Sequence, residues 1–346
     1  MKKSANVTFL ITLFIWISVL VISGGTSMAA DQVIKWRLQA NTTPGSVHFI
    51  HSVEYVCNEI KRATNGRLEI QAFGASALVP SSEIFNAVKR GVVEMGMSNP
   101  AYYAADVPLS SVAHGIPFNV GDVWEWGYIL EHMGLEKMLQ AEYAKHGIYY
   151  RTDMVSRSMP VLKKPVRRLD DFKGLKIRSY GVLQNLLNNL GATASSLPGE
   201  EIYTALASGV IEGAHWGAVQ GATDMGLFEV CKYFLNVSLS TGSGDVWFIN
   251  MKALNKLPPD IQDVVYKLVN DQLWKRTASY LYQEHSTLAN NIQKYGTIVL
   301  NLEPGEYEKM VKVALNMWND IEAKNPGCKK GLDIIREFNR KMGRIK

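Results

Sequence analysis

Cysteine is scarce and scattered in this chain of 346 residues. Cys57, Cys231 and Cys328 are an odd set with no Cys-x-x-Cys pair and no metal-type spacing. That excludes a disulfide framework and leaves buried thiols with at most one optional bridge. The seven histidines contain no His-Glu-x-x-His and no cluster, so a zinc-hydrolase pattern is absent too. Gly74-Ala75-Ser76-Ala77 begins a nucleophile elbow, but Leu78 stands where the closing glycine belongs. Gly242-Ser243-Gly244 is too short for a dinucleotide or phosphate loop. With 12 prolines and 28 glycines the chain is neither collagen-like nor linker-dominated. Charge of neither sign dominates: 37 basic residues face 32 acidic ones, and the densest basic groups read as solvated faces. A nucleic-acid partner is therefore not indicated.

What remains is an ordinary globular composition, 47% hydrophobic and 20% charged, over a length that suggests two lobes. Residues 1–30 are different material. Lys2 and Lys3 precede the uncharged run Val7 to Ile22, and Ser27-Met28-Ala29-Ala30 offers small residues for a cut after Ala29 or Ala30. This reads as a secretory signal peptide, with an uncleaved anchor as the alternative. Its removal leaves 35 basic against 32 acidic residues, or +3.

Past the leader, Val33 to Ala40 reads as a strand, Ser46 to Thr64 as an amphipathic helix, Arg67 to Phe73 as a strand, Pro80 to Arg90 as a helix and Val92 to Met97 as an apolar strand. The order then returns. Glu83-Ile84-Phe85-Asn86-Ala87 with Gly91-Val92-Val93-Glu94 matches Glu201-Ile202-Tyr203-Thr204-Ala205 with Gly209-Val210-Ile211-Glu212, every pair 118 residues apart, and Pro80 and Pro198 fall in register. Two similar α/β lobes follow. Lobe I is expected over 31–155 with a returning segment near 246–285, and lobe II over 156–245 with a return near 286–303. Residues 304–346 form a helical C-terminal extension. A long helix is expected from Pro258 to about Tyr295. Ligands of open α/β sheets lie beyond the carboxyl ends of the strands, which points to the loops Met97 to Tyr103, Arg178 to Gly181 and Ala214 to Gln220.

Arg178 ends a predicted strand just before a helix, where its side chain can enter a cleft and grip a carboxylate through two parallel hydrogen bonds. The surrounding residues carry a resemblance. Asp170-Asp171-Phe172-Lys173-Gly174-Leu175-Lys176-Ile177-Arg178, then Leu197-Pro198-Gly199-Glu200-Glu201-Ile202-Tyr203-Thr204-Ala205-Leu206 and Gly209-Val210-Ile211-Glu212-Gly213, resemble the signature of substrate-binding proteins of TRAP transporters. The likeness runs from about residue 33 to 300 and is nearest to the keto-acid and lactate branch.

That resemblance implies a two-lobed periplasmic-binding-protein architecture. It implies an exported receptor, not an enzyme, that closes on a small organic acid and delivers it to membrane permease subunits. Arg178 is implied as the carboxylate clamp. Arg157 stands where the branch carries glutamine and His215 where it carries a carboxylate, two positions that hold a metal ion in those relatives. A guanidinium and an imidazole argue against the metal, and no cofactor is expected. Two arginines in one cleft would favour a ligand with more than one anionic group, or one carboxylate held from both sides; a dicarboxylate or an oxygenated acid would fit. Trp216 and Trp247 would wall the pocket, and Asn99 with Tyr102 would supply hydrogen bonds from lobe I. Asp153, His48 and Asp245 are weaker candidates. The C-terminal helix allows a monomer or a homodimer. A ligand-binding module of a sensor, or an exported enzyme acting on an acid, remain as alternative readings.

Overall fold

The computed structural model describes residues 33–114 and 116–345; the expected signal segment lies outside them. Ile34–Lys346 forms one compact unit. Two sheets organise it. The first has the order β2 (Leu68–Phe73), β1 (Ile34–Ala40), β3 (Met95–Ser98), β12 (Val246–Asn250), β4 (Ile148–Thr152). The second has the order β13 (Ile298–Leu300), β10 (Tyr233–Leu235), β6 (Pro160–Leu162), β9 (Gly213–His215), β7 (Lys176–Arg178), β8 (Thr193–Ser195). Each sheet is the floor of one lobe. β5 (Val155–Ser158) and β11 (Ser240–Ser243) pair antiparallel between them.

Up to β13 the chain crosses between the lobes three times, and the helices Glu306–Lys324 and Pro326–Lys341 then lead it back from lobe II to lobe I. It passes along β5 on the way from β4 to β6, along β11 on the way from β10 to β12, and through the helix Gln272–Tyr295 on the way from β12 to β13.

The 118-residue echo in the sequence is an echo in the backbone. Pro80 (φ −54°, ψ 148°) and Pro198 (φ −53°, ψ 151°) each lead a short 3-10 turn into the helices Ile84–Arg90 and Ile202–Ala207. Gly91 (φ +71°) and Gly209 (φ +78°) close those helices in the left-handed region that favours glycine. Glu94 and Glu212 then do the same work. Glu94 Oε2 accepts from the Arg37 amide at 2.7 Å and Glu212 Oε2 from the Lys176 amide at 3.2 Å, so each carboxylate ties its strand to the neighbouring parallel strand.

Some expected elements differ. The strand expected over Val92 to Met97 is shifted to Met95–Ser98. The helix expected over Ser46 to Thr64 begins with a π-helical turn, Phe49–Glu54, before the regular Tyr55–Ala63. The long helix is two, Pro259–Asn270 and Gln272–Tyr295, parted at Asp271; adjacent Asn270 and Asp271 have weak helix propensity because their side chains compete for backbone groups. The C-terminal helix Pro326–Lys341 lays Cys328, Leu332, Ile335 and Phe338 into the core of lobe I. Its apolar face is covered by its own chain, and a dimer through this helix would have to use the polar face. All three cysteines are buried free thiols, so the optional bridge is not formed. No described helix is long and apolar enough to cross a membrane.

Candidate functional site

Between the lobes lies a cavity with about 710 Å³ of empty space, part of it open to solvent. All three loops singled out from the sequence reach it: Asn99 and Tyr102 follow β3, Tyr180 follows β7, and Trp216 and Gly217 follow β9. The carboxyl ends of parallel strands from both sheets therefore face one another across it.

Arg178 ends β7 and is fully buried. Its side chain does not protrude into the cavity but sits one layer behind the wall formed by Tyr102, Tyr180 and Trp216. The guanidinium lies 4.6 Å from the Tyr180 ring and 5.1 Å from the Trp216 ring, within cation–π range. Nε donates to Leu197 O at 3.0 Å, Nη1 to His215 O at 2.8 Å and Nη2 to the Tyr102 hydroxyl at 3.0 Å. Two of the five guanidinium N–H groups stay uncommitted among the described residues, one on each terminal nitrogen. No described carboxylate pairs with it. A buried arginine without a counter-ion is costly, and this one is held in place by carbonyl, hydroxyl and ring contacts alone.

His215 is buried with neither ring nitrogen hydrogen-bonded, and its ring stacks on Tyr180 at 5.0 Å. Burial, then Arg178 and His114, push its imidazole well below the usual range, so it stays neutral. Tyr180 also stacks on Tyr102 at 4.7 Å. Asn99 is buried; Oδ1 caps the following turn at Ala101 N, 3.0 Å, and Nδ2 donates to Gly244 O at 2.8 Å.

Lobe I supplies a second polar group. Asn41 Nδ2 donates to Asp245 Oδ1 at 2.9 Å, and His48 Nε2 lies 3.2 Å from Asp245 Oδ2. Burial drives both toward neutrality: His48 is lowered to about 3, with Arg276 adding to the effect, and Asp245 is raised to about 7, helped by Asp153. Asp224 of lobe II accepts the Val47 amide of lobe I at 3.1 Å and Gln220 Nε2 at 2.8 Å, and burial raises its carboxyl as well.

Four expected site residues do not line the cavity: Arg178 and His215 are buried behind its wall, and Trp247 and Arg157 are placed elsewhere. Trp247 is a fully buried core residue of lobe I, its Nε1 donating to Asp153 Oδ1 at 2.9 Å. Its strand is covered on both faces, so an aromatic there packs instead of lining a pocket. Asp153 is likewise structural, taking Ser52 Oγ at 2.7 Å, while Arg276 Nε donates to Ser52 at 2.8 Å. Arg157 does not converge with Arg178. It lies on β5, where Ser158 faces the interlobe cavity and Arg157 faces a different one, with Nη2 3.3 Å from Asp122 Oδ2. The two-residue period of a strand sends neighbours to opposite faces, and the 21-residue spacing to Arg178 carries no information on that parity.

Sequence reasoning missed Asn41, His114, Ser156, Asp224 and Tyr280, all on the cavity wall. Asn41 follows the first strand just as Asn99 follows the third, a signal that was available. Tyr280 comes from the crossing helix and carried none.

A cavity shared by twin α/β lobes and backed by a buried cation without an acid partner among the described residues defines a two-lobed solute-binding protein. The chain belongs to the family of bacterial extracellular solute-binding proteins, family 7, whose model matches residues 40–325. A monocarboxylate 2-oxoacid-binding periplasmic protein of Nostoc sp. is 28% identical over 234 residues, which is 67% of this chain and 64% of that relative's length. Among solved structures, the fold is shared with a TRAP periplasmic solute binding protein of Colwellia psychrerythraea with bound calcium and pyruvate. The TM-score is 0.82 at 23% identity, over 90% of this chain and 95% of that one. It is also shared with an extracytoplasmic solute receptor of Bordetella pertussis binding pyroglutamic acid, at TM-score 0.78 and 22% identity, over 88% and 100%.

His215 is flanked by the Arg178 cation and by no carboxylate, and among the described residues no three His, Cys, Asp or Glu side chains gather as a metal-binding group.

Proposed function

We propose that this protein is an extracytoplasmic receptor that captures a small organic carboxylate between its lobes and presents it, closed, to a TRAP membrane permease. The carrying observation is Arg178: a buried guanidinium with two free N–H groups and no acid partner among the described residues, set directly behind the Tyr102, Tyr180 and Trp216 wall of the cavity. A carboxylate supplies the missing charge and two acceptors at once. The ligands of the relatives, a 2-oxoacid, pyruvate and pyroglutamic acid, belong to that chemistry.

Capture works by lobe closure. Tyr102 from lobe I meets Arg178 from lobe II, and Val47 meets Asp224, so the polar groups that read the ligand are the ones that join the lobes. A bound acid favours the closed form only to the extent that it binds that form better. Asn41 and Asp245 from lobe I and Asp224 from lobe II place acceptors around the cavity, which suits an acid that also carries an N–H or O–H donor. Binding without turnover is the reading adopted, in keeping with the chain's membership of a family of solute-binding proteins.

A thermal-shift series with pyruvate, lactate and pyroglutamate, each against its neutral amide, tests the reading. Stabilisation by at least one acid and by none of the amides is predicted. Equal stabilisation by acid and amide would contradict a carboxylate receptor.

A further inference from the structure

We propose a second binding site, behind the β5–β11 strap, for an amphipathic carboxylate with one charged head and an apolar body. A second cavity with about 500 Å³ of empty space, part of it open, lies there, in the size range of small-ligand sites. Its wall is apolar over Val155, Met159, Val219, Phe234 and Leu288. Arg157 stands in that wall. Its Nε is buried with no hydrogen-bond acceptor, and its one ion pair, to Asp122 at 3.3 Å, joins two partly exposed side chains. Such pairs are weak, and Asp122 also caps the following helix by accepting the Val123 amide, so the guanidinium keeps most of its capacity for an anion.

Glu284, the acid in the cavity wall, does not compete for that head group. Both carboxylate oxygens of Glu284 are taken by backbone amides, Val219 N at 2.7 Å and Gln220 N at 2.8 Å. Tyr280, which is buried, and His285, which is exposed, are the other titratable residues of this wall. A carboxylate at Arg157 would satisfy the orphaned Nε while an aliphatic tail covers the Val, Met, Phe and Leu surface, removing it from water. This site is independent of what occupies the interlobe cavity, although Ser156 and Tyr280 border both.

Calorimetric titration of the full chain with octanoate tests it, in wild type, Arg157→Gln, Leu288→Trp and Arg178→Ala. The first variant removes the head-group contact, the second fills the cavity, and the third disables the interlobe clamp. Octanoate is expected to bind wild type and R178A alike and to bind R157Q about tenfold more weakly or worse, as loss of a charge-assisted hydrogen bond requires. Weakening by either R157Q or L288W with R178A unaffected supports the site. No binding by wild type at millimolar octanoate, weakening by R178A, or indifference to both rear variants overturns it.

Discussion

Arg178 Nη2 donates to the Tyr102 hydroxyl at 3.0 Å, and the two residues belong to different lobes. The phenol thus engages one of the guanidinium nitrogens that the proposed ligand must also reach. Tyr102→Phe removes the acceptor and leaves a buried N–H without a partner, a loss of about 1–3 kcal/mol. Urea melts should show that loss without ligand and a smaller one at saturating ligand, whose carboxylate replaces the hydroxyl. An equal loss in both conditions would mean that the phenol does not share the ligand's place.

Arg178→Lys keeps the charge and discards the fork. Lysine cannot reproduce donation to Leu197, His215 and Tyr102 from one planar group. Ligand affinity should fall by about tenfold or more, the equivalent of one charge-assisted bond. Affinity within twofold of wild type would show that charge alone suffices.

Trp247→Phe separates core from pocket. It removes the Nε1 bond to Asp153 and part of a fully buried side chain. A destabilisation of about 2–4 kcal/mol with unchanged ligand affinity is predicted. Lost affinity at preserved stability would return this residue to the binding site.

The His48–Asp245 pair gives opposite pH signatures. Asp245 rises from 3.8 to about 7 on folding, so its contribution is present below pH 4 and is lost as pH climbs through 7, by up to about 4 kcal/mol. His48 falls from 6.5 to about 3, so its contribution is present above pH 6.5 and is lost as pH drops toward 3. Relative to wild type, Asp245→Asn should gain stability as pH goes from 4 to 7, and His48→Gln should gain as pH goes from 6.5 to 3. Denaturant melts at stepped pH read both slopes; parallel slopes would refute the assignment.

Gly209 holds φ +78° with nothing within 4 Å of where a Cβ would stand. Gly209→Ala should therefore cost about 1–2 kcal/mol from backbone strain alone, with ligand affinity intact. A neutral substitution in a urea melt would mean that the turn relaxes.

The twin lobes were legible because their signal is periodic. Pro80 and Pro198, Gly91 and Gly209, Glu94 and Glu212 keep both spacing and backbone role, and β3 and β9 begin at 95 and 213, again 118 apart. Loops after those strands could be placed by the same reasoning, hence Asn99, Tyr102 and Trp216 on the cavity wall. Side-chain parity could not. Arg157 and Ser158 differ by one residue and face different cavities, a distinction fixed by strand register, which pattern and spacing leave open. Trp247 likewise depended on the strands that flank β12. Asp224 and Tyr280 sit on helices that meet the cavity only through tertiary packing.

Isothermal titration of the best-binding acid against wild type and Arg178→Gln measures the central claim most directly, because glutamine keeps hydrogen-bonding capacity while removing the charge. The account predicts saturable binding by wild type and loss of measurable heat in a variant that still melts cooperatively. Retained affinity in such a folded variant would contradict it.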